Sequence, residues 1–302
     1  MRVTLVHNPT AGDEDHGADE LVALVRREGH DVGYASSHDR AWKDAVAAGG
    51  DLVVAAGGDG TVGEVFKRLA GSPTVVTVLP LGTANNIART LGLAAGEPQE
   101  LIRRWGEAVL LSYDVGEIAG PSLSERFVES AGGGAFADVL ERAPDDSVDA
   151  DSKFESGLRT LRDVLAAARP STWQLELDGL DLSGEFLGVE AMNIHEIGPA
   201  VPIAPSADPA DGLLDVVLIG PEDRDALRKY VDARLAGDTP PRPDLTVHRG
   251  RELVFRPPPD RMLRVDDESR RIERSGGDGA FTVRAGVTQV TVLAPPSGAQ
   301  TR

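Results

Sequence analysis

Residues Asp51 to Gly71 read DLVVAAGGDGTVGEVFKRLAG. An apolar run ending at Ala56 delivers Gly57-Gly58-Asp59-Gly60-Thr61, and a helical pattern follows from Thr61 to Leu69. Strand, glycine turn and helix in that order suit an anion. Glycines let the backbone come close, and the N–H groups opening the next helix point at the charge. Gly58 to Gly63 also matches G-x-G-x-x-G in form. A dinucleotide fingerprint needs more: an acidic residue ending the next strand, to hold a ribose hydroxyl. The next strand ends Leu79-Pro80-Leu81-Gly82-Thr83, without a carboxylate, and no G-x-x-x-x-G-K-[ST] occurs in the chain. The stretch therefore reads as a phosphate loop of another kind, with Asp59 acting through Mg²⁺, since a carboxylate repels phosphate directly. The plainer alternative is a tight turn with Asp59 as a helix cap.

The chain carries its own control. Gly276-Gly277-Asp278-Gly279 repeats the letters GGDG between polar segments. With no buried strand before it and no helix after it, that copy reads as a hairpin turn. Two further stretches share the context of the first. Asn8-Pro9-Thr10-Ala11-Gly12 follows the apolar run Arg2 to His7, and Gly82-Thr83-Ala84-Asn85 follows Thr74 to Leu79. Glycine-, threonine- and asparagine-rich loops after neighbouring strands predict one shared crevice, because open α/β sheets bind ligands at strand carboxyl ends.

Around these loops, apolar runs alternate with helical patterns. Strands are expected at 2–7, 31–35, 51–56 and 74–79, and helices at 18–29, 39–48, 61–69 and 84–91. That alternation predicts a parallel sheet with helices on both faces. After Leu110 strand-like segments dominate, with helical stretches at 156–168 and 222–236. The expected fold class is an α/β N-terminal domain plus a mainly antiparallel β-sandwich C-terminal domain. The boundaries read 1–112 for the α/β domain and 113–287 for the sandwich, with 288–302 returning to the first. The polar run Pro144 to Ser152 reads as a mobile loop.

At 302 residues with 41% hydrophobic content, the chain is long enough for two cores. It has no cysteine, which excludes disulfides, thiol nucleophiles and thiolate zinc sites. A net charge of −18 argues against nucleic acid and against purely electrostatic docking on an anionic membrane. No apolar run is long enough to span a bilayer, and Asn8-Pro9 breaks the opening segment too early for a signal peptide. A cytoplasmic setting is expected, with at most transient peripheral membrane contact.

The motifs, taken together and in order, resemble the diacylglycerol kinase catalytic-domain family, which includes bacterial lipid kinases, sphingosine kinases and ceramide kinases. The matching segments are Asn8 to Gly12, Gly57 to Thr61, Pro80 to Gly92, Ala204 to Leu218 and Val265 to Glu268. The Gly57 to Thr61 segment alone is shared with NAD kinases. The resemblance implies phosphoryl transfer from ATP, with Mg²⁺, to a hydroxyl of a lipid-like acceptor such as diacylglycerol or a sphingoid base. It implies nucleotide contacts from Asn8, Pro9, Thr10, Ala11, Gly12, Gly57, Gly58, Asp59, Gly60, Thr61, Gly63, Gly82, Thr83 and Asn85. The resemblance also implies a hydroxyl contact after the second strand, from Ser36 or Ser37. It also implies a structural Mg²⁺ held by Asp208, Asp211 and the Leu213 carbonyl, and general-base catalysis by Glu268, which requires Asp59 and Glu268 to converge.

The chain departs from the family pattern at several positions. Asn86 stands where Asp is usual in bacterial members, Asp267 where Gly precedes the base, and Gly63 where Asn is common. Asp13-Glu14-Asp15 stands where a basic residue is common. Two alternatives accompany the lipid kinase reading: a kinase of a soluble alcohol on the same scaffold, and a catalytically silent nucleotide-binding regulatory protein. A homodimer is compatible with all three. His195 lies in an apolar segment and reads as a packed or cleft-lining residue.

Overall fold

The apolar run that opens the glycine loop is a strand buried at every position, Leu52–Gly57. A strand covered on both faces belongs inside a parallel sheet. The computed structural model describes residues 1–12, 16–94, 96–142, 150–259, 261–272 and 279–296. The chain divides into two units. One spans Met1–Val115 and resumes at Thr288; the other is Gly116–Val287.

The first unit begins with β1 (Arg2–His7), α1 (Ala18–Arg27), β2 (Asp31–Ser36), α2 (Trp42–Ala47) and β3 (Leu52–Gly57). It continues with α3 (Asp59–Leu69), β4 (Val75–Pro80), α4 (Asn86–Thr90) and α5 (Pro98–Arg103). The strands pair in parallel in the order β2-β1-β3-β4. Helix α3 buries Val62, Val65, Phe66 and Leu69, the three-and-four spacing of a single helical face. Phe66 meets Tyr113 edge-on at 5.0 Å between ring centres. Because β1 lies between β2 and β3, the chain leaving β1 and the chain leaving β3 turn to opposite sides. The strand order reverses there, which places the crevice of an open α/β sheet at the carboxyl ends of β1 and β3.

The strand β5 (Val109–Gly120) has residues in both units, followed by β6 (Leu123–Phe127), β7 (Ser130–Gly134), α6 (Ala135–Arg142) and α7 (Ala150–Ala167). Next come β8 (Ser171–Leu177), β9 (Leu180–Asp181), β10 (Gly184–Phe186), β11 (Gly188–Met192), β12 (Glu196–Ile197), β13 (Val201–Pro202) and β14 (Leu214–Ile219). The series closes with α8 (Arg224–Leu235), β15 (Thr246–Gly250), β16 (Glu252–Arg256), β17 (Met262–Val265), β18 (Glu268–Arg271) and β19 (Phe281–Ala294). Thr291 and Val292 of β19 pair in parallel with Val75 and Val76 of β4, adding a strand to the first unit's sheet.

In the second unit a six-stranded antiparallel sheet runs β15-β14-β11-β7-β17-β18. Its two faces build two cores by strict alternation. Val189 and Ala191 of β11, with Leu214, Val216 and Leu218 of β14, pack against Trp173, Leu175, Phe255 and Phe281 from strands β8, β16 and β19. The residues between them, Met192, Val217 and Ile219, pack against Leu161, Leu165, Leu227 and Val231 of α7 and α8. The unit is thus a β-sandwich with a helical layer on one sheet.

Helix α6 follows directly on the strand-like stretch that ends at Gly134, where no helix is expected, and α4 begins two residues later than expected because Asn85 is left-handed at φ 52°. Of the polar run Pro144 to Ser152, residues 144–149 lie outside the described residues and 150–152 open α7 rather than a loop. Positions 13–15 and most of the second GGDG copy, 276–278, also lie outside them.

Candidate active site

Three loops meet at the carboxyl ends of β1, β3 and β4. The N–H of Asn8 donates to the Ala56 carbonyl at 2.9 Å, and that of Leu81 to the Gly57 carbonyl at 3.1 Å. Asn8 shapes its own loop: its Oδ1 accepts from the Thr10 N–H at 3.1 Å and the Thr10 hydroxyl at 3.0 Å, an Asx turn. Glycines make the approach feasible. A Cβ on Gly82 would lie 2.3 Å from the Cα of Gly58, and a Cβ on Gly12 would lie 2.4 Å from the Leu81 carbonyl oxygen.

Asp59 joins two of these loops. Its Oδ2 accepts the N–H of Asn86 at 2.9 Å and its Oδ1 that of Ile87 at 3.0 Å. The carboxylate therefore caps α4, a helix 27 residues further along the chain, rather than its own helix α3. Asn85 completes the clamp. Its amide accepts from the Gly82 N–H at 3.0 Å and donates to the Gly82 carbonyl at 2.6 Å.

Beside this junction is a hollow of about 300 Å³ lined by Val6, Ser37, Trp42, Lys43, Gly60, Thr61, Glu64 and Val65. Of the two serines considered after β2, Ser37 lines the hollow, whereas the hydroxyl of Ser36 accepts the N–H of His38 at 3.3 Å. Thr83 is half-buried on the third loop, and Gly63 is buried within α3. His7 at the end of β1 lies edge-on to Tyr34, with Nδ1 3.3 Å from its hydroxyl. Burial lowers its pKa, and the positive charges of His16 and His38 lower it further.

In the second unit, β17 and β18 form a hairpin whose two-residue tip is Asp266-Asp267. Asp266 is buried at φ 53°, and its Oδ1 accepts the N–H groups of Val128, Glu129 and Ser130 at 2.9, 2.8 and 3.4 Å. The residue needing left-handed backbone is therefore Asp266, where the short polar side chain is tolerated. Asp267 has no positive φ, so replacing a glycine there does not strain the turn. Sequence reasoning passed over Asp266 as an anchor because its partners lie more than 130 residues away. Glu268 follows, its side chain 57% exposed, with Oε2 2.6 Å from Nη1 of Arg270. Arg270 also forks onto Glu125 at 2.8 and 2.9 Å.

The acidic loop before β14 holds the residues expected to bind a structural ion. Asp208 Oδ1 accepts the N–H of Ala210, and Asp211 Oδ1 that of Leu213. The other oxygen of Asp211 is ion-paired with Arg249 of β15. Arg249 also reaches the buried Asp215, Nε to Oδ2 3.4 Å, while the Ser206 hydroxyl donates to Oδ1 at 3.0 Å. Among the described residues, no three His, Cys, Asp or Glu side chains are grouped to hold a metal ion. His195 is half-buried nearby; burial lowers its pKa, against the opposing pull of the Ala207 backbone, Asp208 and Asp215.

A parallel α/β unit with glycine loops at its switch point, followed in the chain by an antiparallel sandwich, defines a class: the two-unit kinases built on the diacylglycerol and NAD kinase plan. Residues 2–118 match the diacylglycerol kinase catalytic domain, and residues 132–279 match the YegS C-terminal NAD kinase beta sandwich-like domain. The chain belongs to the diacylglycerol kinase and YegS-like lipid kinase family. It is 29% identical to a Bacillus subtilis diacylglycerol kinase over 240 residues, 72% of this chain and 73% of that one. It is 30% identical to a Pseudomonas aeruginosa probable lipid kinase, YegS-like, over 230 residues, 72% of each. The solved structure of a diacylglycerol kinase from Bacillus anthracis strain Sterne superposes with a TM-score of 0.68 at 17% identity, covering 98% of this chain and 97% of that one. Kinases of this family are phosphotransferases that use ATP. Among the described residues, no helix is long and apolar enough to cross a membrane.

Proposed function

We propose that this protein transfers the γ-phosphoryl group of MgATP to a hydroxyl of a lipid-like alcohol. The observation that carries the reading is the meeting of three glycine loops at the sheet's switch point, beside the hollow, in a chain of this family. Asn8 to Gly12, Gly57 to Thr61, and Gly82, Thr83 and Asn85 cradle the phosphates, and Ser37 faces the rest of the nucleotide. Magnesium carried with the ATP neutralises the β- and γ-phosphates. Asp59 positions the second and third loops through its two N–H contacts.

In the transfer, the acceptor oxygen forms a bond to the γ-phosphorus as the bond to the β-phosphate bridging oxygen breaks, and ADP leaves. Glu268 takes the hydroxyl proton. Its Oε2 lies 2.6 Å from Nη1 of Arg270, which holds the carboxylate at the tip of the hairpin. The net charge of −18 favours an acceptor presented away from an anionic surface, so a soluble alcohol is the second reading.

The test is ADP release from MgATP with diacylglycerol, monoacylglycerol, sphingosine and ceramide in neutral detergent micelles, and with glycerol as a soluble acceptor. Micelle-dependent turnover supports the lipid reading. Turnover with glycerol alone supports the second, and no acceptor-stimulated release at all contradicts both.

A further inference from the structure

The acidic loop from Ser206 to Asp215 contains three aspartates within eight residues, at 208, 211 and 215. Such a run collects negative charge, and one member is buried: Asp215 exposes 1% of its surface. A buried carboxylate needs a counter-charge or hydrogen bonds. The resemblance of this segment to other lipid kinases implies a divalent ion in the same loop, held by Asp208, Asp211 and the Leu213 carbonyl.

The residues do not fit such an ion as they stand. Both oxygens of Asp211 are engaged, one by the N–H of Leu213 and the other by Arg249. One oxygen of Asp208 holds the N–H of Ala210. Arg249 brings a permanent positive charge onto Asp211 and reaches Asp215 with its second face, Nε to Oδ2 3.4 Å. A second guanidinium borders the same turn: Nη1 of Arg251 lies 3.6 Å from where a Cβ on Gly212 would be. An incoming divalent cation would meet two like charges and would have to displace Arg249 from Asp211.

We infer that Arg249 is an internal cation that takes the place of the structural divalent ion, so that the second unit holds its acidic loop without metal. The strand pairing supports the geometry. Asp215 of β14 and Arg249 of β15 are directly opposite in the antiparallel ladder, where side chains of neighbouring strands come within reach. The planar fork of arginine can address two carboxylates at once, which a lysine at the same place could not do in the same way. The inference concerns folding of the second unit and does not rest on the kinase reading.

The experiment is thermal unfolding of the full chain, stripped of metal by dialysis against EDTA, without nucleotide, and then with millimolar MgCl₂ or CaCl₂. The wild type is expected to melt at the same temperature in all three conditions. Arg249→Met is expected to melt roughly 3–6 °C lower and to recover much of that loss with the divalent ions, because its aspartates are then free to bind them. Arg249→Lys keeps a charge without the fork and is expected to fall between the two, with little response to ions. A wild type stabilised by several degrees in MgCl₂ or CaCl₂, with the effect gone in Asp211→Asn, overturns the inference. An Arg249→Met protein as stable as the wild type, with no ion response, also overturns it. If Arg249→Met does not fold, the wild-type comparison with and without ions still decides.

Discussion

Gly58 and Gly82 sit so close that a methyl group on Gly82 would lie 2.3 Å from the Cα of Gly58. Gly58 directly follows the strand β3 and Gly82 follows β4, so this contact fixes the spacing of the loops on which the phosphate cradle depends. The obstacle is backbone, which cannot swing aside as a side-chain tip can. Gly82→Ala is expected to lower MgATP affinity at least about tenfold and to cost about 1–3 kcal/mol of stability. Gly106→Ala, where nothing lies within 4 Å of the added Cβ, is the control and should change neither. Isothermal titration and urea unfolding of the two variants check this.

Asp59 ties the second loop to the start of α4 through two N–H groups. Asp59→Ala leaves both without that acceptor, at a cost of about 1–3 kcal/mol. Asp59→Asn keeps one acceptor oxygen and should lose less. If the residue served only a metal-bound nucleotide, stability without nucleotide would be unchanged in both variants. Urea unfolding of the apoprotein separates the two roles.

Glu268 is exposed at the start of β18, and its side chain supports no core. Glu268→Gln should therefore leave unfolding within about 0.5 kcal/mol of wild type while turnover falls roughly 10²- to 10⁴-fold with little change in KM for ATP. Turnover within a factor of two of wild type would remove Glu268 from the base role.

Glu190 makes stability depend on pH. It is fully buried on β11, and neither carboxylate oxygen has a hydrogen-bond partner among the described residues. Burial pushes its pKa from 4.5 up to about 8, against the opposing pull of Arg264. Gly132 on β7 makes room for it: a Cβ there would lie 2.5 Å from Glu190 Oε2. Below pH 4.5 the group is protonated in both folded and unfolded chains. Between 4.5 and about 8 the folded chain keeps the proton and the unfolded chain releases it. Stability therefore falls as pH rises through that window, by up to about 1.4 kcal/mol per pH unit from this group, and levels off above it. Glu190→Gln should flatten the slope and be the more stable protein at pH 8. Urea midpoints at pH 5 and pH 8 test it, and equal slopes for the two proteins would contradict the assignment.

The sequence carried the α/β layout because its signals are local. β3 is apolar along its length, α3 repeats its apolar residues at helical spacing, and glycine follows each relevant strand. The sandwich was legible from alternation and turn residues. Long-range pairings were not. Asp59 holds a helix cap 27 residues away, Asp266 holds N–H groups more than 130 residues away, and Arg249 finds Asp211 across 38. Helix α6 was hidden because it starts directly after the glycine strand Ser130–Gly134 and shares its small, apolar residues. The choice between Ser36 and Ser37 depended on which way one turn faces, which two adjacent identical residues cannot signal.

Every role proposed for this chain depends on the three glycine loops holding the phosphates of ATP. The most direct test is the equilibrium binding of MgATP to the full chain, without acceptor, for the wild type and Gly82→Ala. Saturable one-to-one binding by the wild type, weakened at least about tenfold in a folded Gly82→Ala, is expected. No binding by the wild type, or equal binding by both proteins, would contradict it.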